Sequence, residues 1–203
     1  MTNYKTVANS ADKIFESALQ KIDGRLEIKR KEANVGLKLL KRFDELKKYN
    51  SVYIHKVTEF KGELNSFIVL LVEKHLTIVE FRKSGRREKE IEEIEPMLIF
   101  SISTDIGRAI IKQETIADKI ADLFHKVDID FKEFPRFSRN YVVVGENPDL
   151  VRSQLPRQLI ETLDKIEKMT VEINGNWGLL RPEKNLTENL LLLLISIGYK
   201  MTK

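Results

Sequence analysis

The residues best suited to chemistry in this sequence are its three histidines and the carboxylates near one of them. His55, His75 and His125 lie far apart in the chain, and no two have the i, i+4 spacing of a helical metal pair. His125 is followed by Asp128 and Asp130, a combination that could coordinate zinc or a hard divalent cation. Because such a trio is far more often part of a solvated loop, we predict no metal site and no cofactor.

A second candidate interleaves aromatic rings with arginines between positions 134 and 141. Rings can stack on bases and guanidinium groups can pair with phosphates, so this segment could bind a ligand or a nucleic acid. The same pattern arises when one face of a segment is buried and the other is wet, and this structural interpretation is favoured. Ser138 has no neighbouring base and no nucleophile-elbow glycines, so we predict no catalytic residue. The tentative binding loop comprises Phe134, Arg136, Phe137, Ser138, Arg139 and Tyr141.

The amino-acid composition excludes several other kinds of reactive site. The 203-residue chain contains no cysteine, which excludes disulfides, thiol nucleophiles and cysteine-ligated metal centres. No glycine-rich phosphate loop is present. The dense acids between Glu88 and Glu95 alternate with lysine and isoleucine, which is typical of a solvated face rather than of an acid–base pair. We therefore predict a protein that is not an enzyme.

The net charge of +4 is concentrated near the start of the chain. Residues 1–50 carry 12 basic and 7 acidic side chains, whereas the remainder is close to neutral. Apolar residues recur every three or four positions over residues 10–49, which predicts one long helix, or two helices with a break near residues 34–36. The interspersed acids weaken an interaction with nucleic acid or anionic lipid, so packing against another helix is favoured, for example in a dimer.

The middle of the chain changes to a strand pattern. Apolar runs predict strands at 52–57, 67–72 and 76–81, with a turn at 73–75 between the last two. We predict a charged turn at 83–90, a strand at 97–102 and a helix over 106–125. The apolar periodicity of this last segment is close to 3.6 residues.

The last third has the clearest signals. They predict a strand at 141–144, a helix capped by Asn147 and interrupted at Pro156, and a hairpin around Asn174 and Gly175. A final apolar helix should run from about residue 183 and stop at Gly198. Together these elements form a β–α–β–β–α unit.

A pattern at residues 128–146 begins with Asp128, Ile129, Asp130 and Phe131, continues through residues 134–141 and ends at Gly145 and Glu146. It resembles a stretch found in an uncharacterised family of prokaryotic proteins. The resemblance covers roughly residues 96–197, and more faintly the hairpin at 66–82. Many members have N-terminal membrane helices, whereas this chain has the basic segment 10–49 in their place. The family has no established activity, so the resemblance implies a fold and no function. The positions that carry it are Asp128, Ile129, Asp130, Phe131, Phe134, Pro135, Phe137, Ser138, Tyr141, Gly145, Pro156, Val171, Glu172, Leu180, Arg181 and Pro182.

These observations predict an α+β protein with a helical arm over residues 1–50 and an α+β domain over residues 51–203. The favoured function is a non-enzymatic interaction or scaffold module that self-associates, or docks a protein partner, through the N-terminal helix. The alternative is a ligand- or nucleic-acid-binding domain that uses residues 134–141, and the weakest interpretation is a peripheral membrane protein. Because the longest apolar run is shorter than the roughly 20 residues of a membrane helix, we expect a cytoplasmic protein, or one attached peripherally to a membrane surface.

Overall fold

The computed structural model describes residues 2–22, 24, 26–49, 51–82, 85–113, 128–166 and 168–201. Within these residues the chain combines one eight-stranded sheet with six α-helices and a short 3-10 helix, which confirms the predicted α+β class. The helices are α1 (Thr2–Gln20), α2 (Ala33–Leu40), α3 (Pro135–Asn140), α4 (Pro148–Gln154), α5 (Arg157–Leu163) and α6 (Glu188–Met201), and the 3-10 helix spans Glu45–Lys48. The strands are β1 (Glu27–Lys31), β2 (Ser51–Lys61), β3 (Ser66–Arg82), β4 (Gly85–Ser101), β5 (Arg108–Gln113), β6 (Tyr141–Gly145), β7 (Met169–Asn174) and β8 (Trp177–Pro182).

All neighbouring strands are antiparallel, in the order β1-β2-β3-β4-β8-β7-β5-β6. Strands β1 and β6 therefore form the two edges of the sheet. At its centre β3 and β4 are 17 residues long and pair as far as Arg82 opposite Gly85. This hairpin extends beyond both of its neighbours, because β2 pairs with β3 only as far as His75 and β8 pairs with β4 only from Leu98 to Ser101.

Side chains alternate between the two faces of the sheet, and each face has its own core. On one face, Val69 and Leu98 belong to the larger core, which also includes side chains of α1 and α6. On the other face, Leu70 and Ile99 pack in a smaller core with Phe43 from the segment after α2. Helix α1 thus shares a core with the C-terminal half of the chain, while the predicted division at residue 50 stays a prediction.

The predicted helical segment 10–49 is interrupted, because a strand separates its two α-helices. Helix α1 ends at Gln20 and β1 follows, pairing with β2 from Glu27 opposite Lys61 to Lys31 opposite Val57. This pairing overrides the local preference of a Lys- and Glu-rich stretch for helix. Gly36 then lets α2 approach the sheet, since a Cβ at this position would lie 2.9 Å from Val57 Cγ2.

Three further predictions in the middle of the chain are wrong. Of the charged turn predicted at 83–90, residues 85–90 belong instead to β4, which pairs with β3. Residues 73–75, predicted to form a turn, lie in the middle of the continuous strand β3. Their polar side chains contact other residues of the fold. The helix predicted over 106–125 begins instead as β5, because Ala109 and Ile111 enter the larger core and the backbone pairs with β6 and β7. The rest of that predicted helix, residues 114–125, lies outside the described residues.

The predicted C-terminal β–α–β–β–α unit is confirmed. Asn147 caps α4 by accepting a hydrogen bond from the Leu150 N–H at 3.1 Å, and Pro156 separates α4 from α5. Gly175 occupies the hairpin turn with φ +66°. The last helix differs from the prediction at both ends, because α6 begins at Glu188 and continues past Gly198. A Cβ at position 198 would lie 2.3 Å from the Phe67 ring. Glycine there permits close helix–sheet contact rather than a stop.

Candidate functional site

The segment that carries the family resemblance covers the β6 edge of the sheet. The Val143 N–H donates to Asp128 Oδ1 at 2.8 Å, and the Ile129 N–H donates to the Val143 carbonyl at 2.8 Å. Val143 is completely buried. Because buried backbone groups need partners, residues 128–129 satisfy an edge that would otherwise require another strand.

Helix α3 holds this covering segment in place with the aromatic rings of the tentative binding loop. Phe137 is fully buried, with its ring centroid 5.6 Å from that of Phe131 and 5.4 Å from that of Tyr141. The Ser138 hydroxyl accepts a hydrogen bond from the Phe131 N–H at 2.9 Å, and the Tyr141 hydroxyl donates to the Ile166 carbonyl at 2.5 Å. These contacts give the aromatic and hydroxyl groups a structural role.

The remaining residues of that loop lie on its outer side. Arg136 and Arg139 are exposed, and Phe134 is half-buried beneath the Arg157 guanidinium, 5.3 Å from the ring centroid. The structure therefore separates the arginines from the rings with which the sequence interleaves them. Two exposed cations and one partly covered ring remain available to a ligand.

An open cleft of about 750 Å³ lies beside the covering segment. Its lining includes Asp128 and Asp130 from the segment and Arg152 and Arg157 from α4 and α5. Both arginines also form ion pairs on their own helices, Arg152 with Asp149 at 3.0 Å and Arg157 with Glu161 at 2.9 Å. The cleft is thus a polar surface of mixed sign.

The histidines do not converge within the described residues. His55 Nε2 lies 3.0 Å from Asp12 Oδ1, and His75 Nε2 lies 2.6 Å from Glu73 Oε1. His125 lies outside the described residues, so its predicted grouping with Asp128 and Asp130 cannot be placed. In the part of the chain that the structure describes, no three histidine or acidic side chains are arranged to hold a metal ion.

A buried ionic cluster lies on the sheet at positions where the sequence predicted exposed charges. Glu95, predicted to be on a solvated face, is buried with Lys74 and Arg181. The Lys74 ammonium contacts the Glu95 carboxylate, and Arg181 Nε lies 3.3 Å from Glu95 Oε1. Burial alone would lower the pKa of Lys74, but the Glu95 charge and hydrogen bond outweigh it and raise that pKa. The strand period contained the signal, since Lys74 lies two and four residues from buried Val72 and Leu70 and therefore shares their face of the sheet.

Strand β1 is an exposed edge of the sheet, in contrast to the buried ionic cluster. All five of its residues are exposed, and Ile28 is 38% exposed. On the adjoining helix α2, Val35 and Leu37 are exposed by 38% and 39%. Among the described strands only β2 pairs with β1, so the outer backbone groups of β1 face away from the sheet.

Comparison with known proteins adds information on the fold. No protein-family model matches the chain, and no curated protein matches it either. Among solved structures, the chain is similar to the crystal structure of the mycobacterial trehalose monomycolate transport factor A, TtfA, with a TM-score of 0.50 and 11% sequence identity. The match covers 97% of this chain and 90% of that chain. At this identity the likeness concerns the fold alone.

A separate property bears on membranes. Of the helices in the described residues, none combines the length and the apolar character that a membrane span requires.

Proposed function

We propose that this protein is a non-enzymatic interaction module that docks a protein partner along β1 and α2. The observation that carries the proposal is the exposed β1 edge, whose outer side pairs with no other strand in the described part of the chain. An extended segment of a partner can add to such an edge through main-chain hydrogen bonds. Three exposed apolar side chains on β1 and α2 would add contact area: Ile28, Val35 and Leu37.

The charges of β1 favour a partner other than a second β1 strand. The strand carries one acid, Glu27, and three consecutive bases at positions 29–31. Antiparallel pairing of two copies centred on Lys29 would place two lysines directly opposite each other, which is destabilising. A partner segment with acidic residues avoids this repulsion, and self-association would instead use the apolar side chains of α2.

Substitutions on α2 test the proposal. We expect the double variant V35E/L37E to weaken association of the full chain by roughly tenfold or more, because charge at a docking surface opposes desolvation. Static light scattering over a range of concentrations measures self-association, and fluorescence anisotropy with a labelled peptide of alternating Glu and Val measures strand addition. The matched control is L64E, since Leu64 is 73% exposed between β2 and β3.

Two results would contradict the proposal. One is a wild-type chain that stays monomeric and fails to bind the acidic peptide. The other is an equal loss of association in V35E/L37E and L64E, which would indicate a general effect of added charge.

The exposed arginines of α3 support a second candidate, a domain that binds an anionic ligand near residues 134–141. Arg136 and Arg139 are exposed, whereas Phe137 and Tyr141 are buried and thus withdrawn from base stacking. This favours a small anion over a nucleic acid. Retention of the protein on a heparin column at low salt tests this candidate. We expect the variant R136A/R139A to lose this retention. Equal retention of the wild type and the variant would argue against the candidate.

A further inference from the structure

A groove of about 440 Å³ lies between α5, with the turn that follows it, and α6. This volume falls within the range of roughly 300–1,000 Å³ that is typical of ligand pockets. The lining positions recur at i, i+3, i+4 and i+7 on both sides, from Gln158 to Lys165 and from Leu193 to Lys200. Because this spacing marks one face of a helix over two turns, the groove is about 10 Å long.

The floor of the groove is apolar. Ile197 is buried, and Ile166 and Leu193 are partly buried where they pack against the larger core. All three side chains line the groove. An apolar chain lying on them would remove the rest of their surface from water, which is favourable.

Two cations line the same groove. Lys165 and Lys200 are exposed, and within the described residues neither ammonium group has an acidic partner. Glu161 also lines the groove, but its carboxylate is paired with Arg157 Nε at 2.9 Å. The uncompensated charge of the groove is therefore positive, and ammonium groups form strong hydrogen bonds with carboxylates.

The size of the groove favours a small ligand over a segment of a protein. A specific protein–protein interface buries about 1,200–2,000 Å² in total, whereas this groove spans two helical turns and has three apolar side chains in its floor. A short alkyl chain needs only that floor, and one anionic group at its end suits the two lysines.

We propose that the groove between α5 and α6 binds a small alkyl carboxylate. Its chain lies on Ile166, Leu193 and Ile197, and its carboxylate accepts hydrogen bonds from Lys165 and Lys200. The inference does not depend on the proposed function, because α6 packs in the larger core and α2 packs in the smaller core on the other face of the sheet.

Isothermal titration calorimetry of the full chain with decanoate tests the inference. Decanol lacks the charge and butyrate lacks most of the chain, so we expect each to bind at least tenfold more weakly than decanoate. A charge-assisted hydrogen bond contributes about tenfold in affinity and a buried methylene about fourfold. The variant K165A/K200A should likewise lose roughly tenfold or more.

A matched control removes the same charge elsewhere. K38A/K41A changes two exposed lysines of α2 and its C-terminal cap, and this variant should bind decanoate like the wild type. K165R/K200R keeps both charges in the groove and should retain binding.

A second variant blocks the groove without changing its charge. Ser196 is exposed and lines the groove, so S196W should fill it and abolish binding. Thermal unfolding by circular dichroism should stay cooperative in all variants, which separates a loss of binding from a loss of folding.

Several results would overturn the inference. They are a wild type that does not bind decanoate, decanol that binds as tightly as decanoate, K165A/K200A or S196W that binds like the wild type, and K38A/K41A that loses as much as K165A/K200A. Binding of an acidic amphipathic peptide without binding of decanoate would also overturn it and would identify a peptide-docking groove.

Discussion

The two edges of the sheet differ in how their backbone groups are satisfied. Along β6, Asp128 and Ile129 bond to both polar groups of Val143, and the Phe137 ring packs behind them. Along β1 every residue is exposed, and in the described part of the chain no further strand pairs with its outer side. The first edge is part of the interior, whereas the second is part of the surface.

This difference shows that a conspicuous sequence pattern need not mark a binding site. The arginine–aromatic loop resembles a surface for bases and phosphates, yet Phe137 and Tyr141 serve the fold. The β1 segment has little pattern of its own and presents main-chain groups and apolar side chains instead. A sheet must terminate both edges without aggregating, and here one is covered and the other carries lysines.

The largest expected contrast is between two apolar truncations. Phe137→Ala should lower the free energy of unfolding by about 3–5 kcal/mol, because it leaves a cavity in the aromatic stack of the covered edge. Ile28→Ala on the open edge should cost less than about 1 kcal/mol. Urea denaturation followed by far-UV circular dichroism measures both. Similar losses in the two variants would show that the edges do not differ as described.

A smaller contrast concerns one hydrogen bond at the covered edge. Asp128→Ala removes the acceptor of the buried Val143 N–H and should destabilise the protein by about 1–3 kcal/mol. Asp130→Ala, two residues away on an exposed side chain, should change stability by less than about 0.5 kcal/mol. Asp128→Asn keeps an acceptor oxygen and should recover most of the loss in the same assay. If Asp128→Ala matches Asp130→Ala, the side chain does not cap this edge.

The smallest expected effect is a pH dependence at the open edge. The hydrogen bond from Lys31, 3.0 Å away, lowers the pKa of Glu59 below its ordinary 4.5. Because the folded-state pKa is depressed, the stabilisation is present above pH 4.5 and is lost as the pH falls through the folded value. Solvent screening limits the stabilisation by this ion pair to a few tenths of a kcal/mol.

Lys31→Ala tests this linkage. The difference in unfolding free energy between the wild type and Lys31→Ala should be largest near neutral pH and vanish in acid. Exposed Lys38, on α2, supplies the control, since Lys38→Ala should give a difference with no such trend. A difference that grows on acidification would have the opposite sign and would exclude the ion pair as its source.

Local sequence was sufficient where an element depends on its own residues. Asn147 and Pro148 begin a helix because one caps the first turn and the other needs no N–H partner there. Gly175 and Asn176 form the tight turn after Asn174 because glycine accepts a positive φ. These effects act within a few residues, so the C-terminal unit was predictable without knowledge of its neighbours.

Local sequence was insufficient where the partner is distant in the chain. Lys74 has the composition of a turn residue, but it lies inside the sheet, where the Glu95 carboxylate pairs with both Lys74 and Arg181. Residues 27–31 have a composition that favours helix, but they form a strand because they pair with β2. Such partners are fixed by strand order, which hydrophobic periodicity does not encode.

The sequence by itself thus determined the α+β class, the C-terminal unit and the absence of cysteine chemistry, since these follow from composition, caps and turns. Only the tertiary structure decided which edge is covered, that β3 is one continuous strand, and that β3 and β4 pair beyond the ends of their neighbours. The physical reason is that burial and strand pairing join residues far apart in the chain, and a side chain's role depends on what lies opposite it.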